Sequence, residues 1–189
     1  MAKMPLTCPT MVRLLLDYDA ATGVLIWRDR QPWMFKAGRR LNQETQASAF
    51  AKNFAGKVAF TCKNAKGYAT GAIQRQGFLA HRVAWCHATG KWPTGQIDHI
   101  NHVTDDNRLS NLREATASQN MSNRRAFSGC KYSQYKGVCK AKATGHWTAA
   151  ISINGRQTHL GSFRTEIAAA KAYAAAATKQ HGEYACVKF

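Results

Sequence analysis

The sequence contains no C-x-x-C pair. Its six cysteines stand at 8, 62, 86, 130, 139 and 186, too scattered for a structural zinc site built on paired thiolates. The N-terminus, MAKMPLTCPTMVRLLLDYD, has only a short apolar stretch and no small-residue cleavage site behind it, so no secretory signal is expected and disulfides are not expected either. No apolar run is long enough to cross a bilayer. These absences predict a protein of a reducing compartment, the cytoplasm, with no membrane association. Acid is also scarce: 10 Asp+Glu stand against 27 Lys+Arg, a formal charge of +17. Such an excess suits a polyanionic partner, because Lys and Arg contacts to phosphate release counterions and steer association. A basic ribosome-associated protein would show the same balance, so charge alone leaves DNA and RNA both open. Residues 1–125 hold 18 basic and 8 acidic residues and residues 126–189 hold 9 and 2, so neither half is a basic tail on a neutral core.

The local pattern predicts mixed α and β structure. Ala21-Thr22-Gly23 punctuates two apolar stretches, and Val24–Trp27 reads as a strand. Residues 31–56 lack clear periodicity and are expected to be mostly loop. Lys57–Cys62, Tyr68–Arg75 and Phe78–Ala80, with Gly67 and Gly77 as turn signals, read as a small antiparallel meander. His81–Thr89 has helical spacing, and Gly90 is its stop. Residues 126–134 read as a linker. Beyond it come three short strands, Lys136–Lys142, His146–Ile153 and Gln157–Phe163. Thr144-Gly145 and Asn154-Gly155 separate them, and Asn-Gly favours a tight hairpin turn because both central residues need positive φ. Thr165 is placed to cap an alanine-rich helix running to about Gln180, with Glu166 in its first turn and Gly182 at its end.

The densest signal lies between Gln96 and Asn123. It reads Gln96-Ile97-Asp98-His99-Ile100-Asn101, then Asp106-Asn107-Arg108-Leu109-Ser110-Asn111-Leu112-Arg113, then Thr116-x-x-Gln119-Asn120. Hydrolysis of a phosphodiester needs a base for the attacking water, a cation for the phosphate and leaving oxygens, and something to orient the base. His99 suits the base, since a neutral imidazole accepts a proton at physiological pH. Asp98 and Asn120 offer hard oxygen donors suited to Mg²⁺ or Mn²⁺. Ile97–Ile100 and Leu112–Ala115 are expected to pair as a hairpin across a polar loop. Thr116 and Gln119 match a capping box, so a helix carrying Asn120 should start there. The Asn111 amide could bind loop backbone or the imidazole. His81 reads as a satisfied structural histidine, Trp85 and Trp92 as core, and His102 has no assigned role.

The run D-H-I-N…D-N-R-x-x-N-L-R…Q-N resembles the HNH family of ββα-metal nucleases in its phage and intron-encoded homing version, with support from H-R-V-A-W (81–85) and G-K-W-P (90–93). The resemblance covers residues 57–125 well and 12–56 loosely. It implies His99 as general base, Asp98 as metal ligand, Asn111 as the residue that shapes the loop, and Asn120 at the position where many relatives carry histidine. It also implies one divalent ion, Mg²⁺ with Mn²⁺ as the alternative, and 5′-phosphate and 3′-hydroxyl ends. The setting it implies is phage or bacterial host cytoplasm.

A second series, Tyr135-Lys136-Gly137-Val138, Trp147, Leu160-Gly161-x-Phe163, Ala169-Ala170-x-Ala172-Tyr173 and His181-Gly182-Glu183-x-Ala185, resembles the plant ethylene-response-factor DNA-binding domain over residues 132–189. That family uses a three-stranded antiparallel sheet backed by one helix. Its contacts, carried over by position, fall on Lys136, Lys140, Trp147 and Arg156, with Lys142 and His146 next. Cys139 and Ala141 stand where the family usually has arginine. Lysine lacks the guanidinium fork that reads guanine, so that family's target sequence is not transferred.

The expectation is thus an α+β chain: an HNH nuclease domain over 1–125 with a β-rich N-terminal extension, a linker over 126–134, and a sheet-plus-helix DNA-binding domain over 135–189. The expected partner is double-stranded DNA, with no obligate protein partner and no structural zinc. The competing expectation is a catalytically inactive DNA-binding regulator that retains the nuclease fold.

Overall fold

A computed structural model describes residues 8–38, 41–124, 133–153 and 155–187. The expected linker is therefore outside the described residues over 126–132, as is Asn154 of the last hairpin turn. The fold is α+β, with antiparallel sheets and short helices, and the chain divides into two units, Met1–Glu114 and Ala115–Phe189. The division comes just ahead of the helix that carries Asn120. No helix among the described residues is long and apolar enough to cross a membrane.

In the first unit, helix α1 (Pro9–Leu15) leads into strand β1 (Leu16–Tyr18), which pairs antiparallel with β2 (Leu25–Trp27). The turn between them requires Gly23. Its φ is +78°, and a Cβ there would lie 2.5 Å from the Arg108 nitrogen and 2.6 Å from the Asn107 carbonyl carbon. The turn is thus pressed onto the later Asn107–Arg108 loop, which Leu109 N–H ties to the Ala20 carbonyl at 3.1 Å. Residues 31–56 are not mostly loop. They contain a short 3₁₀ turn, Pro32–Met34, and helix α2, Gln43–Asn53, whose cap is the Asn42 side chain accepting from Thr45 N–H. The helix went unread because its apolar residues do not repeat at helical spacing; Phe50, set against Trp27, Phe35 and Phe54, anchors it instead.

The expected meander is present in part: its first strand is only β3 (Cys62–Lys63), because Lys57 and Ala59 bond to β2 instead, and β4 (Ala69–Ile73) and β5 (Gln76–Leu79) complete it. Helix α3 (Ala80–Thr89) follows directly and stops at Gly90 in the left-handed region. This helix is shared by two buried clusters. Val83 and Cys86 pack with Val12, Leu15, Leu16, Leu25 and Ile73, whereas Ala84 packs with Ile97 and Leu112. Ile97 and Leu112 belong to β6 (Gln96–His99) and β7 (Leu112–Ala115), the expected hairpin. One turn of helix therefore seats the hairpin on the larger core. Arg82 adds a polar fastening by donating to the carbonyls of Pro93 and Gly95 at 3.0 and 2.9 Å. From β7, the Glu114 carboxylate accepts from Gly95 N–H at 3.2 Å and the Thr94 hydroxyl at 2.9 Å.

The second unit opens with α4 (Ala117–Asn123), which starts at the expected capping box: Thr116 accepts from Gln119 N–H and Gln119 returns to Thr116 N–H. Strands β8 (Val138–Lys140), β9 (Trp147–Ile153) and β10 (Arg156–Phe163) form an antiparallel sheet in the order β10-β9-β8. Helix α5 (Glu166–His181), capped by Thr165 and ended at Gly182, lies against it. Ala169, Ala170, Tyr173 and Ala177 form the buried stripe of α5 and meet Val138, Ala149 and Ile151. Alanine's small side chain lets helix and sheet approach closely. The same closeness requires Gly137, where a Cβ would collide with the Tyr173 ring and the Ala150 carbonyl.

Candidate active site

The β6–β7 hairpin places two ionisable neighbours in the interior. Asp98 is 5% exposed and His99 4%. Charged and polar groups rarely enter a core without partners, and both have them. On β7, Arg113 donates through Nε and Nη2 to the same Asp98 oxygen, Oδ2, at 2.9 and 2.8 Å. The Nε2 of His99 lies 3.4 Å from Oδ1 of Asn107, which is itself buried. Burial lowers the His99 pKa, opposed by the Asn107 contact and by the charges of Asp98, Asp106 and Asp105. The imidazole is therefore neutral near pH 7, the state in which it can accept a proton.

Between the strands, the loop is held by its own polar side chains. Asn111 Oδ1 accepts from Asn101 N–H at 2.9 Å, its Nδ2 donates to the Asp106 carbonyl at 2.8 Å, and its carbonyl receives Ile100 N–H at 2.9 Å. Of the two partners open to Asn111 in the sequence, backbone and imidazole, the contacts described are to loop backbone and none is to His99. The Asp106 carboxylate accepts from Arg108 and Asn101. The Tyr18 hydroxyl reaches the Asn107 carbonyl at 2.7 Å.

A second histidine belongs to this neighbourhood. The ring of His81, on α3, stands at 88° to the His99 ring with centroids 5.1 Å apart, and Tyr68 packs against both at 5.2 and 5.8 Å. His81 is 5% exposed, and its Nδ1 is buried with no hydrogen-bond partner among the described residues. The expectation of a satisfied structural histidine is thus corrected. Trp85 and Trp92 do pack in the core, Trp92 stacked on Phe78.

For a metal ion, the first unit offers the Asp98 carboxylate as a hard oxygen donor. No group of three or more His, Cys, Asp or Glu able to hold an ion occurs among the described residues. A lone carboxylate of this kind can serve a divalent ion that keeps several waters and takes further ligands from substrate phosphate. Asn120 lies on α4, in the second unit.

Sequence reasoning missed Asn107, Arg113, His81 and Tyr68. Asn107 and Arg113 stood inside the motif but had no assigned role; a buried carboxylate needs a counter-charge, and the arginine across the hairpin was the signal available. Tyr68, just ahead of β4, and His81, on α3, become neighbours of His99 only in the folded unit.

In the second unit, the register sorts the expected DNA contacts by face. Lys140, Trp147 and Phe163 form one cross-strand row on the side of buried Val138 and Ala149, and Trp147 packs against that core. The Lys140 ammonium sits 5.6 Å from the Trp147 ring centroid. Lys136 is half-buried and donates to the carbonyls of Met121 and Ser122 at 3.2 and 2.6 Å, at the end of α4. Lys142 and His146 are exposed in the β8–β9 connection, and Arg156 is exposed at the start of β10. The face away from α5 presents Cys139, Thr148 and Ser162 in one row, and Ser152 with Gln157 in another.

Residues 78–122 match a family model described as HNH endonuclease. A stretch of 59 residues, 31% of this chain, is 46% identical to the AP2-like ethylene-responsive transcription factor TOE2 of Arabidopsis thaliana, of which it covers 12%. The APETALA2-like protein 2 of Oryza sativa subsp. indica is 46% identical over 57 residues, 30% of this chain and 13% of that protein. The chain thus spans about an eighth of the length of these curated relatives. It is similar to a nuclease family over residues 78–122 and to plant transcription factors over just under a third of its length.

Proposed function

We propose that this protein is a divalent-metal-dependent endonuclease of duplex DNA, a site-selective enzyme of homing type that nicks or cleaves its target. The observation that carries this reading is the adjacent, buried Asp98–His99 pair, with Arg113 on the carboxylate and Asn107 on the imidazole, inside a segment that matches HNH endonucleases. In this reading His99 takes the proton from the attacking water and Asn107 orients its ring. Asn111 keeps the loop between them in shape, and Arg113 holds the Asp98 carboxylate in place. Asp98 and Asn120 are the residues that would hold the metal, Mg²⁺ before Mn²⁺. When bound, the metal supplies charge stabilisation at the scissile phosphate and the leaving oxygen.

The domain organisation proposed is nuclease over 1–125, linker over 126–134 and DNA-binding domain over 135–189. The likeness to AP2-type factors is assigned to the last of these, where Gly137, Trp147 and the alanine stripe of α5 fall. Lys140, Lys142 and Arg156 are its exposed cations for DNA phosphate; Lys136 and Trp147 support the module from within.

The test is nicking of supercoiled plasmid DNA. Cleavage should need Mg²⁺ or Mn²⁺, stop in EDTA, and fall by on the order of 10²-fold or more in His99→Ala, with DNA binding retained. Asp98→Ala should weaken metal dependence more than Asn120→Ala, since it removes a charged donor. Undiminished cleavage in EDTA, or by His99→Ala, refutes the mechanism. Binding without any cleavage points to the inactive regulator.

A further inference from the structure

His81 carries a cost that packing does not explain. An aromatic ring in this position, between Tyr68 and His99, could as well be phenylalanine. Histidine adds a nitrogen, Nδ1, buried without a partner among the described residues. A buried polar atom left unpaired destabilises the fold, and its retention calls for a reason outside folding. Phenylalanine would remove the penalty and keep the ring.

The placement indicates that reason. His81 is on α3, the helix that seats the β6–β7 hairpin, and its ring meets that of His99 edge to face at 5.1 Å. Burial, with a smaller contribution from the neighbouring His99, pushes the His81 pKa down to about 3, so the ring is neutral wherever His99 can act as base. A neutral imidazole has one N–H and one bare nitrogen. Enclosing an unpaired N–H costs more than enclosing a lone pair, because orphaned buried donors are the rarer case in proteins. The cheaper tautomer therefore leaves Nδ1 bare and keeps the hydrogen on Nε2.

We propose that His81 is a further substrate-contacting residue of the cleavage site, donating its Nε2 hydrogen to a non-bridging oxygen of the phosphate that His99 attacks through water. A neutral donor there stabilises the charge that builds on phosphate and does not compete with His99 for the proton. No covalent bond to His81 forms or breaks. The proposal rests on the nuclease reading and refines it by giving α3 a working side chain.

The experiment compares wild type, His99→Ala, His81→Phe, His81→Gln and His81→Met on supercoiled plasmid DNA with Mg²⁺, measuring kcat, KM and melting temperature for each. His81→Phe should melt at or above the wild type, since it removes the orphaned nitrogen, yet lose on the order of 10²-fold in kcat with KM little changed. His81→Gln, which keeps an N–H, should recover part of that rate. If His81→Phe folds poorly, the Gln and Met variants decide, being similar in length with and without a donor: a faster Gln variant supports the proposal and equal rates overturn it. A folded His81→Phe enzyme with wild-type kcat overturns it while His99→Ala remains inactive. A wild type that makes no metal-dependent nick overturns both this proposal and the nuclease reading.

Discussion

Arg113 and Asp98 face each other across the β6–β7 hairpin, two guanidinium nitrogens of one on a single carboxylate oxygen of the other, with the arginine side chain 12% and the aspartate side chain 5% exposed. Removing one member of such a pair leaves the other charge buried and uncompensated. Arg113→Ala should therefore destabilise the protein by about 3–5 kcal/mol in denaturant titration. The double variant Arg113→Ala, Asp98→Ala should be more stable than Arg113→Ala alone. Additive losses would mean that the two groups do not depend on one another.

Gly23 lies far from the motif in sequence yet presses on it. Gly23→Ala must force a side chain into the left-handed region and against Asn107 and Arg108. The strain should cost about 1–3 kcal/mol, read as a lowered melting temperature. It should also slow DNA nicking, because Asn107 is the imidazole's partner. Asn107→Ala should slow nicking without the same loss of stability. If Gly23→Ala lowers stability and leaves the nicking rate untouched, the turn does not position the site.

The loop should make the first unit sensitive to acid. Hydrogen bonds from Arg108 hold the Asp106 carboxyl well below the usual carboxylate range, with Asn101 adding to the effect, and contacts from Gly95 and Thr94 lower Glu114. A carboxyl whose pKa is depressed on folding contributes stability above its unfolded value, near 4, and loses it as pH falls toward the folded value. The wild type should thus lose melting temperature steeply below about pH 4. Asp106→Asn, already lacking that carboxylate, should show a shallower decline over the same range. Parallel declines would show that Asp106 contributes nothing to the acid response.

Salt dependence separates the lysines. Each phosphate contact contributes roughly 0.9 to the slope of log affinity against log salt. Lys140→Ala with Lys142→Ala should flatten the slope by about 2 units. Lys136→Met should leave the slope alone and lower stability instead, by roughly 0.3–1 kcal/mol, since its cation serves the carbonyl end of α4. A slope change in Lys136→Met would place that ammonium on DNA.

Local chemistry was the legible part of this protein. The capping box at Thr116–Gln119, the stop at Gly90, the paired β6 and β7 and the C-terminal sheet with its alanine helix all depend on residues close in sequence. What escaped reading depends on long-range packing. Helix α2 is anchored by one phenylalanine rather than an apolar stripe. Face assignment in the sheet needed the register, which put Trp147 with buried Ala149 and left Ser152 and Gln157 on the other side. His81 was legible as a histidine but not as one lacking a partner, because its neighbours Tyr68 and His99 are 13 and 18 positions away.

Helix α3 gives adjacent residues, Val83 and Ala84, to two different buried clusters, both fully enclosed. Among the described residues, Ile97 and Leu112 of the hairpin bearing Asp98 and His99 take their apolar support from that shared helix and the rings of Tyr18 and Trp85. Exposure of its backbone to solvent should then require the larger cluster to come apart as well. In native-state hydrogen exchange, the amides of Ile97 and Leu112 would share the opening free energy of α3, and a protease would find the hairpin uncuttable until the whole unit unfolds.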